Sequence, residues 1–232
     1  MDMISEDIRD LLRTNQPTSP HRAVVEAMTI NETAFFRDHK MFEVLRDTIL
    51  PRLIEAKTAQ QELRIWSAAS STGQETYSLA MLLCEHFADL ADWDVKIIGT
   101  DTSPQAIEYA RCGRYRRLEV NRGLAARMLV KYLARDGEEW EVAPNLRSLC
   151  DFQNANLCAP LPELPIFDLV LLRNVLLYIP QESRSSVFRN VHRQMAPGGY
   201  LVLGTSEQAE DSTNLFEAEF VRECYFYRPA QT

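Results

Sequence analysis

From Leu63 to the end of the chain, apolar runs of strand length alternate with stretches whose apolar residues recur three and four positions apart. LRIWSAAS (63–70) reads as a strand, QETYSLAMLLCEHFA (74–88) as a helix, and VKIIGTD (95–101) as a second strand. SPQAIEYARCG (103–113) predicts a helix with Ser103 as N-cap, Pro104 in the first turn and Gly113 just past the end. FDLVLLRN (167–174) is near-continuously apolar, the mark of a strand buried on both faces. QESRSSVFRNVHRQM (181–195) predicts a helix, and GYLVLGTS (199–206) and RECYFYRP (222–229) predict strands. The alternation implies an α/β fold with a mostly parallel sheet covered on both faces.

Three segments depart from this rhythm. Residues 122–135 look helical, and EEWEVA (138–143) and RSLCDFQ (147–153) then read as two short strands joined by a turn at Pro144-Asn145. That pattern predicts a small hairpin subdomain, at about 136–153, inserted in the α/β body of residues 51–232. Residues 1–50 hold two short helical patterns (Ile4, Ile8, Leu11, Leu12; then Val24, Val25, Met28) and the stretch TINETAFFRD (29–38). This stretch fits neither the strand nor the helix template: Asn31, Glu32 and Thr33 are polar, Phe35 and Phe36 aromatic, Arg37 and Asp38 charged. Asp38 reads as the N-cap of a helix carrying Phe42, Leu45 and Ile49, which Pro51 restarts or kinks.

With 232 residues, 46% hydrophobic and 25% charged, the chain can bury a large core in one main domain. No apolar run is long enough to cross a bilayer, and the acidic start MDMISEDIRD is unlike a signal peptide, so a cytoplasmic protein is expected. Five cysteines without a CxxC pair argue against a disulfide framework and a zinc site, and four scattered histidines predict no metal. A net charge of −8 disfavours general nucleic-acid binding. Arg111, Arg114, Arg116, Arg117 and Arg122 run against that average, as a solvated face or as a dock for an acidic protein.

Candidate chemistry gathers at the carboxyl ends of the expected strands, where open α/β sheets bind ligands. In SAASSTGQETYS (67–78), small residues admit a ligand to the backbone. No GxGxxG or GxxxxGK[ST] is present for a polyphosphate. Glu75, in the first helical turn, suits a ligand with positive charge such as an amino-acid ammonium, or simply complements the helix dipole. Asp101 ends the second strand, where an acid commonly binds ribose hydroxyls, or else caps the next helix. In NANL (154–157), Asn156 and Leu157 could bracket an adenine. Arg173 and Asn174 stand at the tip of the buried strand, with Tyr178 close behind. Together these favour an adenosine-type ligand without a polyphosphate.

INETAFFRD, WSAASSTGQETYSLAM, GTDTSPQAIEYARCGRY, FQNANL, FDLVLLRNVLLYI and MAPGGYLVLGTSE occur in one order over essentially residues 29–227. In this the sequence resembles the chemotaxis receptor methyltransferases, the CheR family. The resemblance implies a Rossmann-like class I S-adenosylmethionine-dependent methyltransferase with an antiparallel last strand and a shortened helical N-terminal region. It implies methyl esters formed on glutamates of the chemoreceptor cytoplasmic domain, with S-adenosylhomocysteine as product. It further implies a monomer that binds no nucleic acid and inserts in no membrane. Carried over, Asn31, Thr33 and Arg37 would meet the cofactor, the last two at its methionine end and the site of transfer. Ala69 and Glu75 would hold its amino-acid moiety, Asp101 its ribose, Asn156 and Leu157 its adenosine. Arg173 and Asn174 would complete the pocket, Arg173 and Tyr178 would line the acceptor side, and Arg37 and Tyr178 are the catalytic candidates. Gln74 and Thr76 stand where the family usually has glutamate and proline. The short hairpin suggests action independent of a receptor tail. Two alternatives stay open: a same-fold enzyme for another protein or a small carboxylic acid, and a non-catalytic cofactor-sensing module.

Overall fold

The computed structural model describes residues 32–209 and 214–230. The expected helical patterns before residue 30, and Asn31, lie outside the described residues. Thr33–Thr232 forms one compact unit, with residues 33–50 inside it.

The unit opens with α1 (His39–Val44), a π-helical turn (Leu45–Ile49) and α2 (Leu50–Lys57). Pro51 explains the π turn. It has no N–H to offer the Asp47 carbonyl one turn back, and the helix widens just upstream before restarting. Then come β1 (Glu62–Ala68), α3 (Gln74–His86), β2 (Asp94–Asp101) and α4 (Pro104–Cys112). The α4 caps match expectation: Ser103 Oγ accepts from the Ala106 N–H at 3.1 Å, and Gly113 ends the helix at φ 63°.

The next segment corrects the expected pairing. It runs β3 (Arg114–Arg116), α5 (Arg117–Val120), α6 (Ala126–Tyr132), β4 (Leu133–Asp136), β5 (Glu139–Val142), α7 (Pro144–Arg147) and β6 (Cys150–Asn154). Pro144-Asn145 begins a helical turn and joins no hairpin. The hairpin is β4–β5, where Asp136 pairs with Glu139 and the two turn residues are Gly137 and Glu138 with Gly137 at φ 62°, and β3 makes it a three-stranded sheet in the order β3-β5-β4. Glycine at the first position of a two-residue turn is the stronger hairpin signal, because that position needs positive φ. The expected helix over 122–135 stops at Tyr132, since Leu133–Asp136 is drawn into that sheet.

β6, expected in the hairpin, pairs in parallel with β2 at the edge of the main sheet. β7 (Phe167–Leu172), α8 (Gln181–Arg193), β8 (Met195–Leu203), β9 (Phe216–Val221) and β10 (Cys224–Pro229) complete the chain. The seven-stranded order is β6-β2-β1-β7-β8-β10-β9, with β10 antiparallel to both neighbours. β9 went unread because its apolar residues are few and half exposed. One apolar cluster covers each face, one around Leu45, Ile65, Tyr77 and Phe226, the other around Trp66, Phe167, Phe188 and Leu201.

The turn between β9 and β10 carries Arg222 at φ 45° and Glu223 at φ 68°, both in the left-handed region. A two-residue hairpin turn prefers glycine at its second position. Glu223→Gly should therefore raise stability by about 0.5–1 kcal/mol. The lost pair with Lys40 is largely exposed and offsets little of this. Urea denaturation checks it, and a drop in midpoint would show that the Lys40 pair outweighs the strain.

Candidate functional site

The strand order reverses between β1 and β7, and the crevice at their carboxyl ends collects most of the residues singled out from sequence. After β1 the backbone makes a tight turn through Ala69 (φ 64°), Ser71 (φ 50°) and Gly73 (φ 94°) before α3 begins. Strain in non-glycine residues concentrates at such sites.

Asp101 locks this turn to its neighbours. Its Oδ2 accepts the Ser71 N–H and its Oδ1 the Ser103 N–H, both at 2.9 Å. Its carbonyl accepts from the Ala155 N–H and the Asn154 Nδ2, each at 2.9 Å. Burial pushes the Asp101 carboxyl up, against the backbone N–H bonds that pull it down. Asn156, one strand over, is exposed and accepts the Cys158 N–H, while Leu157 is buried in the cluster that holds Ala68 and Leu172.

Arg173 follows the tip of β7, and its side chain is 2% exposed. It donates from Nη1 to Glu75 Oε2 at 2.6 Å, and from Nη2 to the Arg37 carbonyl at 3.0 Å and to the Asp38 carboxylate. Glu75 Oε1 accepts from Ser67 Oγ at 2.7 Å. Residues 33–38 are therefore a strap whose charged end is held to the floor of the crevice. Its aromatic end is held by packing: Phe35 is fully buried with its ring edge-on to Tyr115 at 5.1 Å, and the Phe36 N–H donates to Ser78 Oγ on α3 at 2.9 Å. Asp38 occupies the N-cap position of α1 but makes no capping bond. Its φ of 64° turns the carboxylate to Arg173 instead.

Thr33 and Arg37 are half-buried on the strap. Arg173, expected to line the acceptor side, has its head turned to Glu75 and Asp38. Asn174 sits at φ 57°. Tyr178 ends a 3-10 turn (Leu176–Tyr178) and is 61% exposed, next to Leu177 at 63%. Sequence reasoning missed the strap-anchoring role of Asp38, and missed Ser67 and Glu207. The last stands three residues past Gly204 at the tip of β8, in the same kind of setting as Asp101 after Gly99.

Among the described residues, Ser70 Oγ, Ser71 Oγ, Thr76 Oγ1 and Arg173 Nε are buried without a hydrogen-bond partner, all at or next to the strand tips and the start of α3. Unpartnered polar atoms at strand tips fit a polar ligand. Asp38, Glu75 and Asp101 outnumber Arg37 and Arg173, so the crevice favours a ligand of net positive charge.

Residues 31–224 match the family described as CheR methyltransferase, SAM binding domain. The chain belongs to the CheR methyltransferase family. It is similar to chemotaxis protein methyltransferase 1 of Pseudomonas aeruginosa, 43% identical over 188 residues, which are 79% of this chain and 68% of that protein. It is also similar to chemotaxis protein methyltransferase 1 of Vibrio cholerae, 36% identical over 217 residues, 92% of this chain and 78% of that protein. Among solved structures it is similar to a TehB-like SAM-dependent methyltransferase from Corynebacterium glutamicum, with a TM-score of 0.46 at 17% identity, covering 78% of this chain and 86% of that one.

As a CheR methyltransferase, the chain has S-adenosylmethionine as its cofactor, and the crevice suits it. The sulfonium and ammonium of that molecule outweigh its carboxylate by one positive charge. Ser70 and Ser71 leave their hydroxyls without a partner in the turn after β1, and the loop there carries no lysine. No helix among the described residues is long and apolar enough to cross a membrane, and no metal-ligating cluster is found among them.

Proposed function

We propose that this CheR methyltransferase transfers a methyl group to glutamate carboxylates on the cytoplasmic domain of chemoreceptors and works in the cytoplasm. The carrying observation is the strap: Arg173 holds the Arg37 carbonyl and Asp38 at the crevice, in a chain 43% identical to a protein named chemotaxis protein methyltransferase 1. The exposed Leu177 and Tyr178 support a macromolecular acceptor, because a small acid would want an enclosed pocket.

In this reading Ala69 and Glu75 hold the cofactor's amino-acid end, Asp101 its ribose, Asn156 and Leu157 its adenosine, and Thr33 and Asn174 complete the contacts. S-adenosylmethionine, when bound, supplies a methyl on a cationic sulfur and leaves as the neutral thioether. The acceptor glutamate is ionised at neutral pH, with an ordinary pKa of ~4.3, so no residue has to remove a proton. The new O–C bond would form on a carboxylate oxygen, with the electron pair of the broken S–C bond left on sulfur. Arg37 and Tyr178 orient the carboxylate for in-line attack, and the strap excludes water. Tight ground-state binding by Arg37 would slow the step, so its role is placement.

The test is incubation with labelled S-adenosylmethionine and a receptor cytoplasmic fragment. Base-labile label on the fragment is expected, with Arg37→Ala and Tyr178→Phe each lowering turnover. Label only on small acids would favour a small-molecule enzyme, and normal turnover in both variants would remove their roles.

Asp101 gives this reading a pH signature. Its folded pKa is raised, so as an ionised group it costs stability at neutral pH, and its contribution to stability grows as pH falls through that pKa. Cofactor binding has the opposite sign, because ribose hydroxyls donate to the ionised form. Affinity for S-adenosylhomocysteine should fall on acidification at a pH above the usual ~3.9 of aspartate. Calorimetry of the wild type against Asp101→Ala checks it. The variant should bind at least about tenfold more weakly at neutral pH, as expected for a lost charge-assisted hydrogen bond. Equal affinity would remove Asp101 from the ribose.

A further inference from the structure

Glu207 is 7% exposed and lies just beyond β8. Among the described residues no lysine or arginine pairs with it. Its carboxylate is satisfied by backbone alone: Oε2 accepts the Asn174 N–H at 2.7 Å and the Gly204 N–H at 2.8 Å, and Oε1 accepts the Leu176 N–H at 2.8 Å. Two of these donors flank the point where the chain leaves β7 and turns toward Tyr178. Asn174 is held at φ 57°, a conformation that costs an asparagine free energy unless something fixes it. Leu176 is buried, and the Tyr178 N–H closes the next turn on the Val175 carbonyl at 2.9 Å. The third donor, Gly204, has no room for a side chain: a Cβ there would stand 2.6 Å from Glu207 Oε2 and 2.8 Å from Asn174 Nδ2.

We propose that Glu207 is a positioning residue for methyl transfer: through the Asn174 and Leu176 amides it fixes the loop that presents Tyr178 to the acceptor. The proposal rests on the functional reading above. A carboxylate is needed because three converging N–H groups require an acceptor on both oxygens. An amide in its place must turn an N–H₂ toward at least one N–H donor and lose that bond. A loop freed at Leu176 swings the Tyr178 hydroxyl. Misplacement by about 1 Å can cost on the order of 100-fold in rate.

The test combines amide hydrogen exchange with a double-mutant cycle in the full chain. In Glu207→Gln, amide protection should drop at Asn174, Leu176 or Gly204 and stay as in the wild type along β1 and β2. With saturating S-adenosylmethionine and a receptor fragment, kcat should fall at least about tenfold. Tyr178→Phe should then cost less than about twofold more, against a larger loss in the wild-type background. Gly204→Ala, which crowds the same carboxylate from the other side, should reproduce the pattern should Glu207→Gln fold poorly. Unchanged protection overturns the anchor, and an undiminished Tyr178→Phe effect in the variant overturns the role in transfer. A wild-type protein that methylates no receptor fragment overturns the functional reading instead, while exchange still judges the anchor.

Discussion

An Arg173→Met variant is expected to lose about 3 kcal/mol of folding stability and to bind S-adenosylhomocysteine too weakly to measure. The guanidinium is enclosed, and its two charged partners, Glu75 and Asp38, come from segments far apart in the chain. Removing it leaves two carboxylates facing each other in a site largely shielded from water. Breaking a buried pair in this way costs roughly 3–5 kcal/mol. Asp38 and Glu75 retain some contact with solvent, which puts the loss at the lower end. Adding Asp38→Asn and Glu75→Gln to Arg173→Met should restore part of the stability, because the repulsion is gone. Cofactor affinity should stay lost, because the strap has no anchor. Urea denaturation of both variants separates the two effects. An Arg173→Met protein within about 0.5 kcal/mol of the wild type would mean that the guanidinium is not a strut, since surface changes stay within that range.

The second large effect is expected at Gly123. A Cβ there would stand 2.0 Å from the carbonyl oxygen of Phe35, on a backbone at φ 91°. The obstacle is main chain, so it cannot swing aside as the end of a side chain could. Gly123→Ala must push the strap away from the residues that hold Phe35. We expect a loss of about 3 kcal/mol, of which roughly 1 kcal/mol is backbone strain. Gly137→Ala is the control: it shares a positive φ of 62° but has nothing within 4 Å. It should cost only the strain. Because Thr33 and Arg37 ride on the strap, Gly123→Ala should also weaken S-adenosylhomocysteine binding, and Gly137→Ala should not. Equal losses in the two variants would show that the close approach to Phe35 carries no energy.

Which parts could be read from sequence follows from how each is encoded. β1, β2, β7 and the α4 caps are written locally, in apolar runs and capping residues, and each lies within two residues of expectation. β6 is not. Cys150–Asn154 is a strand in either reading, and only its partner tells a hairpin arm from a sheet edge. The site divides the same way. Glu75 and Asp101 stand at strand and helix ends, where position alone suggests a role. Asp38 fits a local rule so well, as a helix cap, that its distant bond to Arg173 was invisible. Glu207 follows a strand tip as Asp101 does, but its partners are backbone groups, which carry no residue type to recognise.

The link from Arg173 to Glu75 joins residues 98 apart in the chain, and the link from Arg173 to Arg37 joins residues 136 apart. β7, which carries Arg173, slots between β1 and β8, so the centre of the sheet is completed late in synthesis. A nascent chain that has emerged only as far as β6 holds Glu75, Asp101 and the strap, but not the cation that ties them together. Its three acids are then free to repel one another, and the crevice has no second wall. Closure of the crevice thus waits until β7 has left the ribosome, an order of assembly that slow, long-range strand pairing reinforces.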